Sequence, residues 1–346
     1  MDKVLAKKDF PRFLADLQRD HQVLGPTRRG GGTSTYAKAL FAPIRHAEDL
    51  EINYQSSMLS PKKLLFPDNQ PIYEYEKKGG QVELRPAGEQ WDRNVVLLGV
   101  HPCDLAAIAC LDKLFLEDRF QEPTYQDRRG RLTLVGLTCA ESTPHCFCNL
   151  MGAGPDAEGG YDLLLTDLGD RYFTRCQGAK GDKLLAADYF QEATGADQQA
   201  RAQALARLEA GLPEALDIAA VVEHMKDRYS DELWQEFSEV CCACGACNMV
   251  CPTCHCFTIL DRTNPDRSRG KRVLVWDPCH FERFAQMAGN ASVRGEKSAR
   301  YKHRLYDKLL YDPQRHGRLF CVGCGRCIEF CPAHIDLRAV LRKLEG

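Results

Sequence analysis

Cys241, Cys244, Cys247 and Cys251, the last followed by Pro252, form a C-x2-C-x2-C-x3-C-P run. Three thiolates at two-residue spacing wrap one cubane iron–sulfur cluster in a tight turn, and a fourth beyond the turn crosses to a second cluster. The run recurs as Cys321, Cys324, Cys327 and Cys331, again followed by proline. By that crossover rule, Cys241, Cys244, Cys247 and Cys331 hold one [4Fe-4S] cluster, and Cys321, Cys324, Cys327 and Cys251 hold a second. Zinc is the alternative, but zinc sites favour two C-x2-C pairs across a spacer, not a third evenly spaced cysteine plus Cys-Pro, twice. Gly245 and Gly323 or Gly325 would let backbone N–H groups approach the sulfurs. Cys242 breaks the C-x2-C register and reads as a buried spectator thiol.

Other cysteines are also placed in a pattern. Cys103 and Cys139 each follow an apolar strand-like run, and Cys146-Phe-Cys148 comes soon after. Ligands of open α/β sheets gather at the carboxyl ends of strands, so one pocket there would bring all four together as a third cluster site. The competing reading is four buried spectators. A smaller set, Cys254, Cys256 and Cys279, echoes that arrangement but supplies three ligands unless Cys176 or Cys242 joins. Cys110 sits in an apolar helix pattern and reads as core. His101, His145, His255, His280 and His334 lie close to cysteines, where a second sphere or a surface position is the commoner role. Residues 294–308 are rich in Lys and Arg, which reads as a solvated helix face or a docking face for an acidic partner.

Composition narrows the class. There are 46 Lys and Arg against 48 Asp and Glu, so no overall basic field exists for nucleic acid or an anionic membrane. Eighteen cysteines in 346 residues, with no signal-peptide core at Met1–Asp9 and no membrane-spanning apolar run, point to a reducing cytoplasm and to metal binding. Gly152-Ala-Gly154-Pro155 has proline where a dinucleotide-binding helix would begin, so no flavin or NAD site is expected in this chain. Neither H-E-x-x-H nor G-x-S-x-G occurs. Electron transfer, not substrate chemistry, is the expected role.

The elements that must position these residues read as follows. The expected fold is an α/β N-terminal domain (1–182), a helical connector (183–238) and a C-terminal split dicluster ferredoxin domain of bacterial type (239–346) with an inserted segment, 257–318. Phe10, Phe13, Leu14 and Leu17 mark one face of a first helix. The triple glycine at 30–32 reads as a loop, and 60–67 as a short ordered connection. Strands are expected at 94–100, 131–138 and 161–167, the last in a hairpin with 171–175, and at 271–276. A helix is expected over 105–116, capped by Asp104.

Several motifs together resemble one family. Gly99-Val-His-Pro-Cys-Asp-Leu-Ala-Ala107, Cys146-Phe-Cys-Asn-Leu-Met-Gly152, Cys251-Pro-Thr-Cys-His-Cys-Phe257, Trp276-Asp-Pro-Cys279 and Cys321-Val-Gly-Cys-Gly-Arg-Cys327 are similar to the iron–sulfur β subunit of cytosolic sulfhydrogenases and the related iron–sulfur subunit of anaerobic sulfite reductases. The resemblance runs from about Ser60 to Leu337. It implies a relay between two partners. One is a flavin- and NAD(P)-binding subunit similar to ferredoxin reductases. The other is catalytic: a hydrogenase, a sulfite reductase or a heterodisulfide-reductase-like module. The alternative is a reductase with its own catalytic cluster near Cys254, Cys256 and Cys279.

Overall fold

A computed structural model describes residues 2–28, 34–87, 91–230 and 232–346; the glycine run at 30–32 lies outside the described residues. The chain is mixed α/β. Twelve strands follow one another as β1 (Lys3–Ala6), β2 (His21–Thr27), β3 (Leu40–Pro43), β4 (Gln70–Lys78), β5 (Gln81–Pro86), β6 (Asn94–Val100), β7 (Leu132–Leu137), β8 (Leu163–Asp167), β9 (Arg171–Cys176), β10 (Phe190–Glu192), β11 (Phe257–Thr263) and β12 (Arg269–Trp276).

Eight of them form one sheet in the order β10-β1-β9-β8-β7-β6-β2-β3. Its centre, β8-β7-β6-β2, is parallel, and the flanking pairs are antiparallel. Both faces of the central strands are covered, which explains their unbroken apolar sequences. Alternate residues serve two cores. Val96, Leu98, Val135 and Leu163 meet Phe10, Phe13, Leu14 and Leu17 of the helix Phe10–Asp20. Val95, Leu97, Leu134 and Leu164 meet Leu105, Ile108 and Leu111 of the helix Pro102–Phe115. Each such side chain contributes about 1.5–3 kcal/mol by leaving water.

That second helix begins earlier than the sequence suggests. His101 is its N-cap and Pro102 its first residue, where the fixed φ of proline suits a helix start. Asp104 therefore lies inside the first turn and does not cap. Its side chain is buried and serves the metal region described below.

A second, four-stranded sheet runs β11-β12-β4-β5, antiparallel throughout. It joins a hairpin from the first quarter of the chain to one from the last third, with Gln70 opposite Leu274. Between the sheets the segment 60–67 carries the one-turn helix Lys62–Leu65, with Leu65 and Phe66 fully buried beneath Trp276.

The stretch 183–238 divides its packing. β10 adds an edge to the large sheet, and the helix Gly195–Ala210 lies against β8 and β9. The helices Ile218–Asp227 and Leu233–Glu239 pack Val221, Met225 and Trp234 into a third core with Leu305, Phe320, Val340 and Leu341. The basic stretch is only partly solvated: Arg294, Lys297 and Lys302 are half-buried. In the helix Lys297–Tyr306 and the π-turn after it, Arg300, Arg304 and Lys308 recur every fourth residue and are all buried. No helix among the described residues is long and apolar enough to cross a membrane.

Candidate metal centre

The two cysteine runs fold alike. In each, a residue in the left-handed region (Ala243, φ 52°; Gly323, φ 60°) and then a left-handed glycine (Gly245, φ 73°; Gly325, φ 74°) lead into a one-turn helix, Ala246–Met249 or Arg326–Glu329. The bend turns backbone N–H groups onto sulfur. Ala243 N donates to Cys241 Sγ at 3.4 Å and Gly323 N to Cys321 Sγ, while beyond the second bend Ile335 N donates to Cys331 Sγ at 3.4 Å. Such contacts are made to the thiolate form and stabilise it.

Cys241, Cys244, Cys247 and Cys331 line one cavity, together with Cys327, His280, Tyr301 and Arg304. Behind it lies the second group. The ionisable neighbours of Cys321 include Cys327 and Cys251, and those of Cys324 include Cys251 and Cys327. Burial pushes the Cys247 and Cys321 thiols up to about 12. A free thiol here is therefore neutral, and becoming an anion requires a cation at the sulfur.

The strand-end cysteines also come together. Cys103 is the second residue of the helix after β6 and Cys139 follows β7, at the carboxyl edge of neighbouring parallel strands. With Cys146 and Cys148 they line a second cavity, and Cys324 and Arg326 complete its wall. The C-x-C loop is fastened to the second run, since Phe147 N donates to Gly323 O at 2.8 Å. A Cβ at Gly323 would meet the Phe147 carbonyl, and one at Gly325 the His145 carbonyl, so both positions need glycine for closeness as well as for φ.

Arg326 crosses between the two regions fully buried. It makes a bidentate ion pair with Asp104 at 2.7 Å and also donates to Ser57 O and Oγ. His101 is buried and stacked on Tyr54 at 3.9 Å, and its Nε2, at the cavity wall, has no partner. Burial lowers its pKa to about 3, so it stays neutral.

The smaller set is gathered in pairs. Cys254 donates to Cys251, and Cys256 to Cys279; these hydrogen bonds, ahead of all other causes, hold Cys251 and Cys279 below the usual thiol range. The Asn248 amide joins the pairs, reaching Cys279 Sγ at 3.1 Å and Cys254 Sγ at 3.6 Å. Cys176 stands apart, at the end of β9 beside Asp182. Cys110 is core and donates to Leu319 O. Cys242, expected to be buried, is exposed at the mouth of the first cavity, because the sharp turn that points Cys241 inward points its neighbour out.

Of the histidines, His280 is buried with Nδ1 unpartnered at the first cavity. His255 Nδ1 donates to the Thr253 carbonyl at 3.1 Å, and His145 packs edge-on to Tyr36. His334 is exposed. Among the described residues, no three His, Cys, Asp or Glu side chains converge closely enough to share a single ion. Thiolates around a cluster are spaced by the cluster's own iron and sulfide.

Three residues missed by sequence reasoning belong to this region: Arg304, Lys308 and Lys62. Lys308 Nζ donates to Thr253 Oγ1 at 2.8 Å, and that hydroxyl lies 3.4 Å from Cys251 Sγ. Lys62 Nζ donates to Cys254 O at 2.9 Å and sits over the Trp276 ring. The available signal was the i, i+4 recurrence of Arg300, Arg304 and Lys308 beside Tyr301, Leu305 and Leu309, one helical face shared by cations and core.

Residues 240–335 match the family model of the 4Fe-4S dicluster domain. No solved structure matches the chain. The chain is similar to Sulfhydrogenase 2 subunit beta of Pyrococcus furiosus, 31% identical over an alignment 343 residues long that covers, gaps aside, 96% of this chain and 95% of the relative. At that identity along nearly the whole of both chains, the protein belongs to the sulfhydrogenase β-subunit family.

Proposed function

We propose that the chain is an electron-relay subunit holding three [4Fe-4S] clusters: at Cys241, Cys244, Cys247 and Cys331; at Cys321, Cys324, Cys327 and Cys251; and at Cys103, Cys139, Cys146 and Cys148. It passes electrons between a catalytic oxidoreductase, of hydrogenase, sulfite-reductase or heterodisulfide-reductase type, and a flavin- and NAD(P)-binding subunit. Residues 239–346 act as a split ferredoxin of bacterial type, 1–182 as the α/β carrier of the third cluster, and 183–238 as the helical connector.

One observation carries this reading. Cys324 belongs both to the wall of the strand-end cavity and to the second-run group, and Cys327 both to that group and to the wall of the first-run cavity. Three thiol groups thus follow one another without a gap. The donor chemistry fits: each group offers four thiols, and N–H groups already point at the sulfurs of the two runs. When bound, such clusters supply reversible one-electron steps without bond rearrangement. The chain's own residues fix the thiols, keep water away and shape the local charge.

Iron and acid-labile sulfide per chain test the proposal. About twelve of each is expected, about eight would remove the strand-end cluster, and zinc without sulfide would sink the reading. Anaerobic co-purification identifies the partner subunits. A second reading, a reductase with its own centre at Cys254, Cys256 and Cys279, is favoured by the Asn248 amide that bridges Cys254 and Cys279. It predicts turnover by the isolated chain with an artificial electron donor, abolished by Cys279→Ser.

A further inference from the structure

Buried cations surround the two runs without carboxylate partners. Arg304 stands in the wall of the first-run cavity, 7% exposed. Among the described residues its one hydrogen bond is to Cys247 O at 3.4 Å, and its Nε has no partner. Lys308, 4% exposed, donates among the described residues to Thr253 Oγ1 and Phe320 O only. Among the described residues, neither forms an ion pair with Asp or Glu. Asp307 pairs with His303 instead, and Asp312 is buried with one oxygen unpartnered. Arg300, by contrast, is wrapped by three carbonyl oxygens, of His280, Arg294 and Gly295.

A buried cation without an anion is strongly unfavourable, so one must be found. Arg304 shares its cavity wall with Cys241, Cys244, Cys247, Cys327 and Cys331, and Lys308 reaches the Thr253 hydroxyl, which lies 3.4 Å from Cys251 Sγ. Among the described residues no carboxylate pairs with either cation to supply that charge. A cubane with four thiolates supplies it, because it is anionic in both oxidation states and gains one more negative charge on reduction.

The strand-end cavity offers the contrast. Its single buried cation, Arg326, is cancelled by the two oxygens of Asp104. A neutral pair does little for one oxidation state over another, whereas an unpaired cation favours the more negative, reduced one.

We propose that Arg304 and Lys308 are fixed counter-charges for the clusters held by the two runs, keeping their potentials above that of the strand-end cluster. This rests on the cluster assignment proposed above. If that assignment fails, metal and sulfide analysis of the unaltered protein shows it before any variant is made.

The experiment is an EPR-monitored redox titration of the anaerobically isolated complex carrying Lys308→Met, Lys308→Arg or, as a control, Lys302→Met. Lys302 donates to Tyr229 O over the Tyr229 ring, away from the thiols. Lys308→Met should keep its iron yet show a reduced-to-oxidised ratio about tenfold lower at a fixed potential, equivalent to ~59 mV for a one-electron couple. Lys308→Arg and Lys302→Met should titrate as the unaltered protein does. If Lys308→Met loses iron and Lys308→Arg keeps it, the site's demand for positive charge is shown by metal retention and the proposal stands. An unchanged potential in iron-replete Lys308→Met overturns it. So does loss of iron in both Lys308 variants, which would mark a packing role alone.

Discussion

The strand-end cavity and the paired runs are built from the same donor atom but on opposite electrostatic plans. Around Cys103, Cys139, Cys146 and Cys148, rigid parallel strands deliver the thiols, and the one buried cation is neutralised within the protein by Asp104. Around the runs, short turns and one-turn helices deliver the thiols, and Arg304 and Lys308 are left for the site itself to neutralise. The first region can fold around its charges before any metal arrives. On the proposed assignment the second contains charges that a loaded site would balance, so its stability and its metal content should be linked.

The largest effects should come from removing ligands on either side of this contrast. Cys139→Ser is expected to lower iron from about twelve to about eight per chain and to leave the redox titration of the remaining clusters unchanged. Cys327→Ser removes a thiol shared by the walls of two groups, so iron analysis should show a loss of at least about four atoms per chain, with altered EPR signals from what remains.

Next in size is the buried ion pair. Asp104→Ala strands Arg326 and should cost about 3–5 kcal/mol in urea unfolding, while the double replacement Asp104→Leu with Arg326→Met should cost far less. Equal losses in the two proteins would show that the pair does more than cancel charge.

Gly325→Ala tests the joint between the regions. The added methyl group meets the His145 backbone at a φ of 74°, so about 2 kcal/mol or more of stability should be lost in thermal unfolding.

The smallest effect concerns acid. His101 titrates at about 3 in the fold, below the ordinary value of about 6.5, so the unfolded chain binds its proton first. Stability from this group is complete above about pH 6.5 and is lost as pH falls, by about 1.4 kcal/mol at pH 5.5. His101→Phe should shrink the difference in unfolding free energy between pH 7.5 and pH 5.5 by that amount.

Much of the large sheet was legible because its physics is local. The apolar runs of β6, β7 and β8 and the helix beginning near Cys103 carry their burial in their own composition. The ends were less so: Asp104 has the chemistry of a cap, but Pro102 starts the helix ahead of it. The β4–β5 hairpin did leave a signal, an alternation over Ile72–Glu76 followed by Gly79-Gly80 with φ of 56° and 84°, the dipeptide of a tight hairpin turn. It was obscured because β5 is exposed along its whole length and the hairpin's partner strand lies far along the chain.

In the metal region, sequence spacing put cysteines into candidate groups, and two of these, Cys241, Cys244, Cys247 and Cys331 and then Cys103, Cys139, Cys146 and Cys148, line cavities in the structure. What spacing did not contain was the sign of the surroundings. A basic i, i+4 stripe looks the same whether it faces solvent or a nest of thiols. Only the packing of Tyr301, Leu305 and Leu309 beside it turns Arg304 and Lys308 inward.

The small sheet also has a bearing on how the protein is made. β4 emerges from the ribosome with β5 on one side and nothing on the other, and its second neighbour, β12, is roughly 190 residues away, some 10–40 s of synthesis at ordinary rates. Through that interval an unpaired edge is open to wrong partners. Closure by β12 comes only after Cys241 to Cys256 have been translated, so the seam between the early hairpin and the late one cannot close until the first cysteine run has been synthesised.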